Sequence, residues 1–416
     1  MRRYSVFHPG RHPAPMWVAN ELAKRERLDS YWTGFSVSYQ ELTALRRVSP
    51  RLSAELSRRR LPDCLDKSHL KRSAYPLELS IVLAQRASMP AIAQNLLVSR
   101  NRYIARRFLR HARKADVVLL STDTRSGLPA TLAEANIPYV IYTPLPHSSY
   151  CAGVFQVEAE ENPQWAPYIG YVFDQFEAED AAREATGASA VLANSGFAGD
   201  SFKEWVPPSR IAVVPLSLDA HTVRRSIGIS PPNRRARDEK FKLVYAGMIT
   251  QRKGLSYLVE AVNSSVHRGQ IELTLIGSDQ WGMGAALRRA FPRVDINICR
   301  PMSQALLWRE LAQHHAFVFP TLLDGFGNAM LEALACGLPI IATDRCGAPD
   351  LGIFGEAGMQ VAVSSSASIR HALDTLYEDE DRRAEMAAAA SRLPIFDGWS
   401  GYASRAIGAL DDILKS

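Results

Sequence analysis

Residues 317–343, FVFPTLLDGFGNAMLEALACGLPIIAT, constrain the fold more than any other part of the chain. The run 317–320 is apolar and closed by Pro320, which predicts a short buried strand. Asp324-Gly325-Phe326-Gly327 then turns the chain, and residues 328–335 have helical composition. Gly337 and Pro339 stop that helix, because glycine tolerates a left-handed cap and proline cannot continue the ladder. Residues 340–342 predict the next strand. Strand, helix and strand in that order imply a parallel sheet of the α/β class. Asp324 lies in the loop before the helix, and Glu332 lies eight positions later inside it. The opening turn of a helix offers unpaired N–H groups and the positive end of the dipole, which suits a phosphate. An ionised carboxylate only accepts hydrogen bonds, and its two oxygens match a sugar diol. The layout fits a diphosphate carrying a sugar on each side, a nucleotide-sugar. The plainer reading is a βαβ unit of some doubly wound protein.

A chain of 416 residues, 47% hydrophobic, has length for two domains that each bury a core. Its five cysteines, Cys64, Cys151, Cys299, Cys336 and Cys346, are scattered and form no C-x-x-C pair, which speaks for a reducing compartment and against a zinc or disulfide framework. The start, MRRYSVF, lacks the apolar region of a signal peptide. The nearest approach to a membrane span, residues 75–98, is interrupted by Glu78 and Arg86, so no transmembrane helix is expected. Charge is uneven: residues 1–120 hold 23 Lys/Arg against 9 Asp/Glu, whereas the remainder holds 26 against 34. The basic excess gathers at Arg46-Arg47, Arg58-Arg59-Arg60, Lys71-Arg72 and 100–114. It reads either as a solvated surface or as a patch facing an anionic membrane. No aromatic-interleaved basic motif accompanies it, so nucleic acid is not an expected partner.

Strands are predicted at 4–7, 116–121, 138–142, 190–195 and 211–219, with helices at 17–27 and 128–135. Residues 40–115 are helix-like, and 156–185 form one or two acidic helices on which Glu158, Glu160 and Glu161 read as a solvated face. His147 follows the strand at 138–142, beyond the carboxyl end where open α/β sheets bind ligands; the alternative is a loop histidine capping the backbone. Pro231-Pro232 and the arginines at 234, 235 and 237 mark a linker over 220–240. The pattern restarts at 241–247, a strand ending in Gly247, followed by a loop with Met248, Arg252 and Lys253 and a helix over 255–262. Strands at 271–277 and 295–299 and a helix at 306–314 lead back to 317; two helices fill 366–389, and a last one ends at 414. The triplet Asp379-Glu380-Asp381 reads as a charged helix face, so no metal site is assigned.

The segment from Asp324 to Glu332 resembles the signature of the retaining GT-B glycosyltransferases of family 4, an acid, Gly-Phe-Gly, and a Glu eight residues on. Residues 190–197, 211–219 and 247–254 resemble further family segments, so the likeness spans most of 116–416. It implies a GT-B fold: two Rossmann-like doubly wound domains facing across a cleft, with the C-terminal helix crossing back to the first. The implied layout is an acceptor-side domain at 1–219, a linker at 220–240, a nucleotide-sugar domain at 241–395 and a crossover helix at 396–416. The implied roles are as follows. Asp324, with the backbone of Phe326, Gly327 and Asn328, holds the transferred sugar and phosphate. Glu332 holds the ribose diol. Lys253, with Arg252, neutralises the diphosphate beside Gly247. Gly10 lets the backbone approach the donor, and His147 positions the sugar from the other domain. The resemblance further implies retention of configuration, no cofactor and no metal, a nucleotide-diphosphate-sugar as donor substrate, and a glycan or lipid-linked acceptor. Apart from the resemblance, the scattered cysteines point to the cytoplasm, and the basic first half leaves peripheral contact at the inner face of a membrane as one option.

The chain departs from the family pattern in several places. Asp324 stands where Glu is usual, Met248 where Arg follows the glycine, and Arg300-Pro301-Met302 where a Gly-x-Val turn holds the base. Only Gly10 remains of the first glycine-rich loop, and Asp350 closes an altered Gly-Gly-x-x-Glu loop. Two other classes stay open: a GT-B nucleotide-sugar epimerase and a non-catalytic partner subunit.

Overall fold

In the computed structural model the apolar runs form two separate parallel sheets; it describes every residue except 1, 11, 35, 38, 50–52, 54–64, 66–68, 73, 87–88, 113, 123–125, 171–174, 229–238, 394–396 and 416. The first sheet uses β1 (Tyr4–Phe7), β2 (Leu28–Thr33), β3 (Leu70–Arg72), β4 (Val117–Ser121), β5 (Tyr139–Thr143), β6 (Ala190–Ala193) and β7 (Ile211–Val213), in the order β3-β2-β1-β4-β5-β6-β7. The second uses β8 (Phe241–Ala246), β9 (Ile271–Ile276), β10 (Asp295–Cys299), β11 (Ala316–Phe319), β12 (Ile340–Ala342) and β13 (Gly358–Gln360), in the order β10-β9-β8-β11-β12-β13. Every neighbouring pair in both is parallel.

Parallel strands need crossovers, and the crossover helices cover both sheet faces, so their strands are buried on both sides. The first sheet shows this residue by residue. Val117, Leu119, Val140 and Tyr142 face one buried apolar cluster, and Val118, Leu120, Tyr139 and Ile141 face another. The first of these clusters runs on into the second domain through Trp165, which stacks on Phe291 at 6.4 Å and 7°. The C-terminal helix, Gly398–Lys415, leaves the second domain and packs on the helix Pro13–Lys24 of the first. Asp411 clamps it there, accepting from Arg27 Nη1 and Nη2 at 2.7 and 2.6 Å and from the Tyr4 hydroxyl at 3.4 Å.

Several expectations meet a different outcome. Glu158 is not solvated: it is 3% exposed, and it accepts from Gln251 Nε2 (2.7 Å) and the Tyr257 hydroxyl (2.9 Å) of the other domain. Ala220–Ile227, at the head of the expected linker, are helical, capped by Asp219. The basic cluster Arg58-Arg59-Arg60, Cys64 and the linker residues 229–238 lie outside the described residues.

Candidate functional site

In an α/β sheet the strands on either side of the reversal of order send their crossovers to opposite faces, leaving a crevice at their carboxyl ends. In the second sheet that point lies between β8 and β11, and a cleft of about 450 Å³ opens there. Gly247 at the end of β8, Gly277 at the end of β9, Phe319 at the end of β11 and Gly327-Asn328 at the helix start line it, with Arg252, Lys253, Asp324 and Glu332.

The charged end is tightly built. Lys253 Nζ lies 2.5 Å from Asp324 Oδ2, and Arg252 Nη1 lies 3.7 Å from Oδ1. Both cations are buried, and Lys253 also sits over the Phe319 ring, 5.0 Å from its centroid. Burial, with Arg252 beside it, lowers the Lys253 ammonium to about 8 although Asp324 pulls the other way. Burial pushes the Asp324 carboxyl up, but Lys253 and Arg252 outweigh it and hold it below the usual carboxylate range. In this arrangement the carboxylate is the counter-ion of two cations that a diphosphate would take over.

The helix Asn328–Ala335 begins without a side-chain cap, because its N-cap is Gly327 at φ 98°. That left-handed conformation favours glycine, and a Cβ there would meet the Phe319 ring at 2.8 Å. The N–H groups of Asn328 and Ala329, which line the cleft, have no partner among the described residues and are available as anion donors, whereas Met330 N–H donates to the Gly327 carbonyl at 2.9 Å. One turn on, Glu332 Oε1 accepts from Gln304 Nε2 (3.0 Å) and Trp308 Nε1 (3.1 Å), which fix the carboxylate and leave Oε2 without a protein partner among the described residues. Burial raises the Glu332 pKa against those two donors.

Seven of the expected residues thus converge on one cleft: Gly247, Arg252, Lys253, Asp324, Gly327, Asn328 and Glu332. Three do not. His147 is 2% exposed, caps the helix Ser148–Glu161 by accepting from Ser149 N–H at 3.3 Å, and stacks on Trp205 at 3.8 Å. Its ring faces the interior of the first domain, the capping alternative. Gly10 lies against His8, where an added Cβ would meet Cε1 at 2.9 Å, and does not line the cleft. The Phe326 side chain is buried over Gly347, so it packs the loop from beneath. Met248, in place of the expected arginine, lines the cleft, as do Pro301 and Met302.

The residue that sequence reasoning passed over is His12. It caps the helix Pro13–Lys24 of its own domain by accepting from Ala14 N–H at 3.4 Å, and the Asp324 carboxylate of the second domain raises its pKa against burial, which lowers it. Its signal was the one applied to His147, a histidine in a loop beyond the carboxyl end of a parallel strand.

Residues 240–379 match the family model of glycosyl transferases group 1. Over 240 residues the chain is 28% identical to the D-inositol 3-phosphate glycosyltransferase of Pseudarthrobacter chlorophenolicus, covering 53% of this chain and 55% of that one. It is 27% identical over 154 residues to the capsular polysaccharide biosynthesis glycosyltransferase CapM of Staphylococcus aureus, covering 35% and 39% respectively. The chain thus spans about half the length, or less, of these curated relatives. The crystal structure of Anabaena HepE in complex with UDP-glucose shares the fold, with a TM-score of 0.59 at 15% identity over 100% of this chain and 99% of that one. Residues 240–379 thus match the glycosyl transferases group 1, and the chain as a whole has the two-domain GT-B fold.

Proposed function

We propose that the protein transfers a sugar from a nucleotide-diphosphate-sugar to a glycan or lipid-linked acceptor, with retention of configuration and without a divalent metal. One observation carries this reading: two buried cations, an uncapped helix start and a half-bonded carboxylate line the same cleft. The diphosphate lies between Lys253, Arg252 and the N–H groups of Asn328 and Ala329. Glu332 Oε2 accepts from the ribose diol, and Asp324, released from Lys253, accepts from a hydroxyl of the transferred sugar. Negative charge grows on the diphosphate as the glycosidic bond breaks, and pre-placed cations stabilise it there, the role a metal ion plays elsewhere. Likeness to a capsular-polysaccharide enzyme supports a glycan acceptor.

A thermal-shift screen of nucleoside diphosphates and nucleotide-sugars tests the reading, since a ligand bound only by the folded state raises Tm. Expected is a rise with one nucleotide class, followed by transfer that persists in chelator; no shift with any of them defeats it. Product from donor alone, without acceptor, would point to an epimerase.

Peripheral membrane contact is proposed alongside. No described helix is long and apolar enough to cross a membrane. On the helix Tyr75–Arg86, however, Leu79 and Leu83 are 62% and 57% exposed, and Met89 and Ile92 follow at 50% each. The next helix, Pro90–Ala112, exposes Arg102, Arg106 and Arg110 at spacings of four. Exposed apolar side chains and a cationic row on two helices packed against each other fit an anionic bilayer surface. Sedimentation with vesicles rich in anionic lipid checks this; equal binding by a Leu79→Glu/Leu83→Glu variant overturns it.

A further inference from the structure

The ring of His12 is held at one nitrogen only. The chain of contacts behind it starts on the C-terminal helix. Tyr402 donates its hydroxyl hydrogen to Asn194 Oδ1 at 3.2 Å, and Asn194 Nδ2 donates to the Tyr142 oxygen at 2.8 Å. An amide oxygen only accepts and an amide nitrogen only donates, so Tyr142 keeps its own hydrogen for His12 Nδ1, 2.7 Å away. The Ala14 N–H reaches the same nitrogen at 3.4 Å. Nδ1 is thus the acceptor, and the neutral ring carries its proton on Nε2. Burial favours that neutral form, lowering the pKa to about 4 against the pull of Asp324.

Nε2 has no hydrogen-bond partner among the described residues, and His12 is part-exposed. In this it differs from His8 and His147, whose unpartnered Nε2 atoms are sealed in the interior. Trp399, edge-on at 6.4 Å, and Tyr142, tilted at 5.5 Å, hold the ring in place. A fixed N–H donor therefore stands in the loop after β1, beside Tyr142 of β5, and the loop after β5 abuts the turn that carries the acceptor-only Asp324 carboxylate, with the Pro144 carbonyl against Gly325.

We propose that His12 Nε2–H donates to a hydroxyl oxygen of the sugar carried by the donor, while Asp324 accepts from a hydroxyl of the same sugar. A donor on one side and an acceptor on the other fix which way round a polyol sits, and the Tyr402–Asn194–Tyr142 relay sets the donor's tautomer from the C-terminal helix. The inference rests on the nucleotide-sugar reading above.

The test is calorimetric titration of wild type, His12→Leu, His12→Gln and Tyr142→Phe with the nucleoside diphosphate and the nucleotide-sugar that raise Tm in the screen. Expected for His12→Leu is a Kd for the nucleotide-sugar raised about tenfold, with the nucleoside diphosphate changed by no more than about twofold. His12→Gln recovers part of the loss, because its amide N–H reaches the position of Nε2–H. Tyr142→Phe falls between, since the ring is then free to take the other tautomer. Equal weakening of both ligands, or of neither, overturns the proposal. An unchanged donor Kd with a raised acceptor KM overturns it in favour of an acceptor hydroxyl. If His12→Leu does not fold, His12→Gln and Tyr142→Phe decide by the same difference between ligands. Wild type that binds neither ligand fails the nucleotide-sugar reading itself.

Discussion

The two domains share a strand order and differ in what fills the point where that order reverses. In the second sheet Gly247 directly follows β8, and the space beyond it is the cleft lined by Lys253 and Arg252. In the first sheet the matching point lies between β1 and β4. There His8, directly after β1, places Nδ1 2.6 Å from the Oγ of Ser121 at the end of β4. Burial lowers the His8 pKa to about 3, so a neutral ring fills the gap. Topology offers the crevice twice; the residue at the strand end decides which one takes a ligand. A glycine leaves the space, and a histidine occupies it.

Lys253→Ala gives the largest expected effect. It reduces kcat by roughly 10²–10³ if the contact strengthens as the diphosphate leaves. His8→Ala, at the filled counterpart, lowers stability by about 1–3 kcal/mol through the orphaned Ser121 hydroxyl and the lost ring. It leaves kcat far closer to wild type than Lys253→Ala does. A kcat loss as large as that of Lys253→Ala, at unchanged Tm, breaks the contrast between an open and a plugged point.

The same contrast explains what the sequence disclosed. The second-domain site is built from contiguous pieces, the end of a strand, a glycine turn and a helix start, so its residues stand close together in the chain. Asn328–Ala335, Ile340–Ala342 and Asp295–Cys299 form as composition predicts. The relay behind His12 joins positions as distant as Tyr142, Asn194 and Tyr402, and no local spacing unites them. Leu28–Thr33 escaped notice because Asp29 and Ser30 break its apolar run, although both meet Ser5 of β1. Leu70–Arg72 and Gly358–Gln360 are three-residue edge strands, too short for any periodicity. Glu158 looked solvated because its neighbours Glu160 and Glu161 lie on the outer side of the helix. Its own partners belong to the other domain.

Gly325→Ala probes how far the two halves depend on each other. A Cβ at Gly325 would lie 1.7 Å from the Pro144 carbonyl oxygen of the first domain. The contact belongs to a seam in which Ser195 Oγ donates to the Gly325 carbonyl at 2.5 Å and Gly196 N–H donates to Asp350 Oδ1 at 2.8 Å. The variant holds the domains apart, so kcat/KM falls by roughly 10² through lost positioning. Nucleoside diphosphate binding, which the proposed function assigns to the second domain, is expected to stay near wild type. Loss of both together would show that the cleft needs the first domain to form.

A smaller effect follows from Lys253 itself. Its ammonium, lowered to about 8 by burial and Arg252, is protonated below that pH and loses its proton as pH rises through it. The alkaline limb of kcat/KM therefore falls near pH 8, where an unperturbed lysine would hold to about 10.4. Lys253→Arg, which keeps its charge, removes that limb even if absolute activity drops. A limb unmoved in Lys253→Arg assigns the titration to another group.

The smallest expected effect concerns the clamp that ties the second half back to the first. Asp411 accepts two short bonds from Arg27, and those bonds hold its carboxyl below the usual range. Because the folded-state pKa is depressed, the stabilisation is present above the unfolded value of about 3.9 and is lost as pH falls through the folded one. The Asp411 side chain is 24% exposed, so solvent screening keeps the contribution to about 1 kcal/mol. Asp411→Asn should lower unfolding stability by that amount at pH 7, and the gap to wild type should narrow as pH falls below the unfolded value of about 3.9. Because this clamp lies away from the cleft, donor affinity should not change. A gap that does not narrow at all as pH falls below the unfolded value would assign the loss to packing of the Gly398–Lys415 helix, and a weakened donor affinity would show that the helix tunes the cleft through Tyr402 as well as fastening the domains.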